Sequence, residues 1–183
     1  MARAKNKLVM PFLKWVGGKR QLMSDIEPLI PSKISTYYEP FIGGGAVLLN
    51  QQPKKAVIND YNSELINVYE VVRDQVEELI EDLATHKNES DYFYSIRVQD
   101  REEGFEELSP LKRASRVIYL NKTCFNGLYR VNSSGEFNTP FGRYKSPNIV
   151  NENVLRAVSK YLQNNDITLL SGDFEDALKG ARK

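Results

Sequence analysis

Apolar and polar positions along the chain switch between two periods. Tyr37 to Phe41 and Ala56 to Asp60 are short apolar runs of strand length. The stretch from about Gly45 to Gln51 between them carries Val47, Leu48 and Leu49 and predicts a helix. Glu64 to Val72 places Leu65, Ile66, Tyr69 and Val72 on one helical face, with Asn62 or Ser63 as its cap. Val76–Leu83 and Tyr92–Val98 also read as helical. Pro110 opens a further helix through Arg113, Arg116, Val117 and Leu120. Val154–Leu162 is helical, and Ile167–Leu170 is a third apolar strand running into Gly172-Asp173-Phe174. Before all of these, Arg20 to Ile30 predicts a helix stopped by Pro31. The order strand, helix, strand, helix predicts an α/β fold. Residues 8–72 and 151–183 form its core, and 73–150 reads as an insert between the second and third strands. Within the insert, Leu128–Val131 and Glu136–Thr139 flank Asn132-Ser133-Ser134-Gly135, a hairpin signal.

The junctions of these elements carry candidate chemistry. Tyr38-Glu39-Pro40-Phe41-Ile42-Gly43-Gly44-Gly45 takes a strand into three glycines and then a helix, and the second strand ends on Asp60, seventeen residues after Gly43. That is the front half of a nucleoside-binding βαβ unit: glycines let backbone approach a ligand, and an acid at the strand tip can accept ribose hydroxyls. It is not the dinucleotide fingerprint, because Leu48 occupies the third glycine position. A glycine-rich turn can also be purely structural. Trp15-Val16-Gly17-Gly18-Lys19-Arg20 fails as a phosphate loop: that motif needs Gly where Leu13 sits and Ser or Thr where Arg20 sits.

Composition narrows the classes. The 183 residues are 41% hydrophobic and 27% charged, enough for one globular domain with or without an insert. No apolar run reaches membrane-span length, and a cytoplasmic setting fits. One Cys, Cys124, excludes an internal disulfide, and one His beside one Cys argues against zinc. No metal is expected. Net charge is +1, yet its distribution is uneven. From Asp74 to Glu107 there are twelve acidic against three basic residues; from Leu108 to Pro147 seven basic residues face Glu136 alone. Such a sign change suits a surface for a polyanion, although an acidic helix followed by a basic one accounts for it equally well. Between Asn121 and Lys145, Lys122, Arg130, Arg143 and Lys145 interleave with Tyr129, Phe137, Phe141 and Tyr144, a mix that serves either DNA or a buried aromatic face.

Taken together, F-L-K-W-V-G-G-K-R, E-P-F-I-G-G-G, I-N-D-Y-N and N-G-L-Y-R-V-N-S-S-G-E-F-N-T-P-F-G-R-Y-K resemble the Dam-type (D12 class) adenine-N6 DNA methyltransferases. The resemblance implies a Rossmann-like, S-adenosylmethionine-dependent methyltransferase sheet with a helical and β-hairpin insert for DNA recognition. It implies that Trp15 and Lys19 line the cofactor pocket, that Phe41, Gly43 and Gly45 approach the methionine part, that Asp60 holds the ribose, and that Asp173 and Phe174 flank the adenine ring. It implies double-stranded DNA as partner, with GATC as target. Arg130 would meet a guanine edge, Leu128 and Pro140 would lie on thymine methyls, and Phe125 would fill the space of a flipped adenine. Asn126, Asn132, Arg143 and Lys145 would hold phosphates, with Lys122 on the same DNA face; Cys124 is an ordinary small residue.

The family's catalytic Asp-Pro-Pro-Tyr is absent from these residues, so no catalytic residue is assigned. The expectation is an incomplete sheet, with the first strand as an edge, in the N-terminal part of a longer enzyme that is inactive without the remaining segment. The alternatives are a non-catalytic module that binds cofactor or DNA, or one half of a split enzyme. A nucleotide-dependent dehydrogenase is disfavoured by Leu48 and by the basic segment. Both a restriction-modification and a housekeeping role fit.

Overall fold

The computed structural model describes residues 5–181. Three strands, β1 (Tyr37–Glu39), β2 (Lys55–Asp60) and β3 (Asp166–Ser171), form one parallel sheet in the order β1-β2-β3. β2 is central, with Ile58 aligned between Glu39 and Leu169. The eight α-helices among the described residues are α1 (Met23–Ile26), α2 (Ala46–Gln51), α3 (Ser63–Asp74), α4 (Val76–Ala84), α5 (Ser90–Arg97), α6 (Pro110–Thr123), α7 (Glu152–Gln163) and α8 (Phe174–Leu178).

Several boundaries follow from local chemistry. Pro40 has no N–H for a ladder, and β1 stops at Glu39 rather than Phe41. Asn62 caps α3, its side chain accepting from the Leu65 N–H at 3.1 Å. Ser109 caps α6 ahead of Pro110. The helix expected over 20–30 breaks instead into a 3₁₀ turn (Lys19–Leu22), the single turn α1 and a second 3₁₀ turn (Glu27–Leu29), where Pro28 interrupts the helical bonding.

α3 packs on β3, α6 and α7, and α4 packs on α6 and α7. Leu65, Val68, Val72, Leu79, Leu83, Val117 and Val158 are fully buried or nearly so in one core with Ile58 and Leu48. Each such side chain contributes roughly 1.5–3 kcal/mol of burial. Ala56 and Ile58 face this core, whereas Tyr38 and Val57, on the other face, stay half-exposed. Among the described residues that face meets the chain just after α8, where Gly180 approaches the Tyr38 ring.

Three cations of the basic segment, all on α6, pair with acids, and Arg156 on α7 pairs with the acidic α4. Lys112 pairs with Asp82, Arg113 with Glu64 and Glu106, and the buried Arg116 with Asp100 at 2.8 Å; Arg156 on α7 takes Glu77. The cations of the basic segment without an ion pair among the described residues are Lys122, Arg130, Arg143 and Lys145.

A second, smaller core of Phe93, Tyr119, Leu120, Cys124 and Phe137 lies under the basic segment. The expected hairpin forms as a turn but not as two strands. Asn132 N–H donates to Glu136 O and Asn138 N–H to Arg130 O, with a single bridge between Val131 and Phe137. The outward backbone groups of Phe137 are taken by side chains: its N–H donates to Asp100 at 2.7 Å, and its carbonyl accepts from Arg97 and Arg101. Charged side chains thus occupy the edge where another strand would pair.

Between α4, α5 and α6 the His86 ring stacks on Tyr119, centroids 4.4 Å apart, with Nδ1 on the Tyr92 hydroxyl and Nε2 on the Ser115 hydroxyl. Burial lowers the His86 pKa below 6.5, against the opposing pull of Asp82. The unfolded chain therefore takes up this proton first, so the contribution is intact above pH 6.5 and is lost as the pH falls below it. We expect His86→Gln to flatten part of the loss of stability as the pH falls below 6.5 in denaturant titrations. Parallel curves for both proteins would remove His86 from the acid response.

Candidate cofactor cleft and nucleic-acid interface

The turn after β1 is built by its glycines. Gly43 and Gly45 have φ of 49° and 69°, in the left-handed region. A Cβ on Gly43 would lie 2.9 Å from the Trp15 ring, and one on Gly45 would lie 2.6 Å from the Tyr69 hydroxyl. Tyr69 is fully buried and donates its hydroxyl to the Gly43 carbonyl at 2.9 Å. Asp60 receives the Gly43 N–H at 3.0 Å on one oxygen and the Asn62 N–H at 3.1 Å on the other. Each oxygen keeps acceptor capacity for a further donor.

These groups surround a cleft of about 200 Å³ lined by Trp15, Gly17, Lys19, Glu39, Phe41 and Asp60 among others. It lies beyond the carboxyl ends of the strands, where open α/β sheets take ligands. A larger cavity of about 470 Å³, lined by Lys5, Gln52, Lys54 and Lys160, sits at the start of β2 and holds none of the residues expected to bind. Its size reflects the open seam between α7 and the N-terminal segment rather than convergent chemistry.

Two contributors to the cleft carried no sequence signal of their own. Glu39 is buried, and one carboxylate oxygen accepts from the Tyr37 hydroxyl at 2.9 Å and from the Leu48 N–H at 3.2 Å. Burial pushes its pKa up to about 6, against the pull of the Tyr37 bond and of the Lys19 ammonium. Asn59, also buried, donates to the carbonyls of Pro40 and Gly172 and so joins the ends of β1 and β3. The neighbouring Asp60 drew attention at the same strand tip; an amide there is legible only once the strands are aligned.

Phe41 and Phe174 lie together, ring centroids 5.5 Å apart, and both are exposed. Asp173 caps α8, accepting the Glu175 N–H at 2.8 Å. Tyr61, beside Asp60, is 83% exposed and lines an open groove with Trp15 and Tyr129. Flat apolar rings left uncovered at the strand tips suit a heterocycle better than solvent.

Trp15 is the wall between this cleft and the basic segment. One side faces the glycine turn, and its ring stacks on Tyr129 at 5.0 Å and 19°. The preceding residue is clamped by the buried carboxamide of Asn121, which accepts from the Lys14 N–H and donates to the carbonyls of Lys14 and Gly127. Gly127 packs so tightly on the Lys14 stem that a Cβ there would come within 2.5 Å of it.

From this anchorage the basic segment runs outward. Phe125 is 54% exposed, and its N–H bonds the Pro140 carbonyl. Asn126, Arg130, Pro140, Arg143 and Lys145 are exposed, and Leu128 and Lys122 are half-buried. Burial and the nearby Lys14 lower the Lys122 pKa to about 8. Arg130 donates Nε–H to the Asn138 side-chain oxygen at 2.7 Å. Asn132 is engaged within its own turn, accepting the N–H groups of Ser134 and Glu136 and donating to the Glu136 carboxylate. Cys124 is buried, its thiol pushed up to about 11 by burial, which leaves it unreactive as a nucleophile. Among the described residues no cluster of His, Cys, Asp and Glu could hold a metal, and no helix is long and apolar enough to cross a membrane.

Residues 15–183 match the D12 class N6 adenine-specific DNA methyltransferases, and the chain belongs to that family. It is 49% identical over 181 residues to the Type II methyltransferase M1.LlaDCHI of Lactococcus lactis subsp. cremoris, an alignment that covers 97% of this chain and 64% of that protein. Type II methyltransferase M.MjaIII of Methanocaldococcus jannaschii is 44% identical, with 91% of this chain and 63% of that protein covered. The DNA adenine methylase of Serratia marcescens is 42% identical over 140 residues, covering 74% and 50%. The chain thus spans less than two thirds of the length of these relatives.

The glycine turn generates a test. Gly45→Ala should destabilise by about 1–3 kcal/mol, from a positive φ and from the Tyr69 hydroxyl. In a Tyr69→Phe background the clash with the hydroxyl should vanish, leaving the close approach to Leu49, and the cost fall by about 1 kcal/mol. Additive effects in a denaturant double-mutant cycle would show that the hydroxyl is not what excludes a side chain.

Proposed function

We propose that this chain binds S-adenosylmethionine in the cleft at the strand tips and presents the 122–145 segment to duplex DNA for adenine-N6 methyl transfer, with GATC as the target. The observation that carries the reading is the shared wall: Trp15 lines the cleft and stacks on Tyr129, next to the exposed Arg130. The cleft suits the cofactor by its donor set. The cradle at Gly43 and Gly45 is kept free of side chains. Asp60 offers acceptors to ribose hydroxyls, and the buried Glu39 offers a carboxylate to the methionine ammonium, with Lys19 opposite for its carboxylate. Phe41, Phe174 and Asp173 are placed to bound the adenine ring.

When bound, the cofactor supplies an electrophilic methyl group. The residues described here bind and orient it and hold DNA in register. On the DNA side, Phe125 enters the stack beside the extruded adenine, Arg130 reads a guanine edge, and Leu128 and Pro140 meet thymine methyls. Lys122, Asn126, Arg143 and Lys145 lie along the backbone, with Asn132 holding the turn that carries them. Groups that accept hydrogen bonds from the adenine amine belong to an Asp-Pro-Pro-Tyr run. Residues 1–183 contain no such run; a polypeptide that does is the proposed catalytic complement. This supports a second reading, a module that binds cofactor and DNA without transferring methyl.

Methyl transfer from S-adenosylmethionine to GATC and scrambled duplexes separates the two. Residues 1–183 alone should give no transfer, and transfer at GATC should appear with the Asp-Pro-Pro-Tyr segment present. Transfer by 1–183 alone would demand other acceptor groups within it. Asp60→Ala should weaken cofactor binding by roughly 1–3 kcal/mol in calorimetric titration. Glu39 has its pKa raised to about 6; its anionic form is the one that holds an ammonium, so cofactor affinity should decline as the pH falls through 6. Glu39→Gln should be weaker throughout and lose this dependence. An unchanged pH profile in that variant would remove Glu39 from the site.

For the DNA face, Arg130→Ala should cost roughly 1–3 kcal/mol and relax selectivity at one guanine. Lys145→Ala should weaken all sequences alike and reduce the salt slope by about one. Equal loss for cognate and scrambled DNA in Arg130→Ala would contradict base reading.

A further inference from the structure

The Arg130 side chain is already committed at one of its donors. Its Nε–H bonds Asn138 Oδ1 at 2.7 Å, and the two residues are also joined through the backbone, Asn138 N–H to Arg130 O at 3.0 Å. Asn138 is in turn held on both sides: Phe137 is fully buried with its backbone bonded to Asp100, Arg97 and Arg101, and Thr139 is buried with its hydroxyl on the Leu128 carbonyl at 2.5 Å. The support beneath the amide is therefore rigid, whereas Arg130 itself is exposed and has no ion pair among the described residues.

A guanidinium can meet the two acceptors of a guanine in two ways: side-on, through Nε and one Nη, or end-on, through both Nη groups. With Nε bonded to Asn138, only the end-on fork remains. We propose that Asn138 is a positioning residue for target selection: it holds Arg130 so that guanine O6 and N7 are met end-on. This rests on the reading of Arg130 as a base-contacting residue. A free arginine on an exposed turn would lose several rotamers on binding and could swing to a phosphate. An arginine fixed at Nε gives up less freedom and is held away from that competing contact. Asn138 acts through Arg130 and need not touch DNA.

The test measures binding of the whole protein to a GATC duplex and to the same duplex with 7-deazaguanine in place of both target guanines, which removes the N7 acceptor. The unsubstituted protein should bind the modified duplex roughly tenfold more weakly. Asn138→Ala should shrink that penalty to about threefold or less, because the freed guanidinium spends its donors elsewhere. Asn138→Asp keeps an acceptor at the same place. It should bind both duplexes more weakly, from added negative charge, yet restore the ratio between them. Thermal melts of all three proteins should coincide within a few degrees, since Asn138 is half-exposed.

A penalty in Asn138→Ala equal to that of the unsubstituted protein would overturn the positioning role while leaving Arg130 as reader; uniform weakening of both duplexes with the ratio intact would do the same and make Asn138 a backbone contact. No penalty in the unsubstituted protein would remove guanine reading itself, and this inference with it.

Discussion

A single buried carboxamide, that of Asn121 on α6, joins the two halves of the candidate site. Its oxygen takes the Lys14 N–H, and its nitrogen serves the carbonyls of Lys14 and Gly127. These bonds lie in the interior, where an unmade partner costs more than in water. They fix where the N-terminal loop crosses the start of the basic segment, and with it the position of Trp15. Trp15 then fills the space that glycine leaves open at position 43 and presents its ring to Tyr129. The cleft and the basic segment are distant in sequence but share this seam, so neither can shift without repacking the other.

Electrostatics follows a similar division. Acidic side chains of α3, of α4 and of the turns between α5 and α6 pair with Lys112, Arg113, Arg116 and Arg156. The exposed ones, such as Arg156–Glu77, add little stability. Their larger effect is on the distribution of charge, since unpaired cations of the basic segment remain only on the face that begins at Lys122. A near-neutral chain can in this way display a local positive field.

Where local chemistry dictates backbone, the chain is readable. The parallel strands, the Asn62 cap, the helix start at Pro110 and the glycine turn follow from residue type and period. The helix expected over 20–30 fails because Pro28 lies inside an otherwise favourable pattern. The hairpin lacks ladders because side chains take backbone groups between its arms: the Glu136 N–H bonds the Asn132 side-chain oxygen, and the Leu128 carbonyl accepts the Thr139 hydroxyl. For the site, Gly43, Gly45 and Asp60 announce themselves by placement. Glu39, Asn59, Tyr69 and Asn121 do not: an acid next to proline, or an asparagine in a helix, has many ordinary explanations. Their roles appear only when separate segments are brought within hydrogen-bonding distance.

The segment from Phe137 to Pro140 alternates strictly in depth. Phe137 and Thr139 are buried, Asn138 is half-exposed and Pro140 is exposed. The anchoring residues and the outward residues are thus different residues, two apart. Exchanging an outward side chain leaves the anchors and their bonds in place, so this turn can acquire a new chemical surface with little risk to folding. A lineage built on this scaffold can diversify what it recognises one exposed position at a time, through intermediates that remain folded.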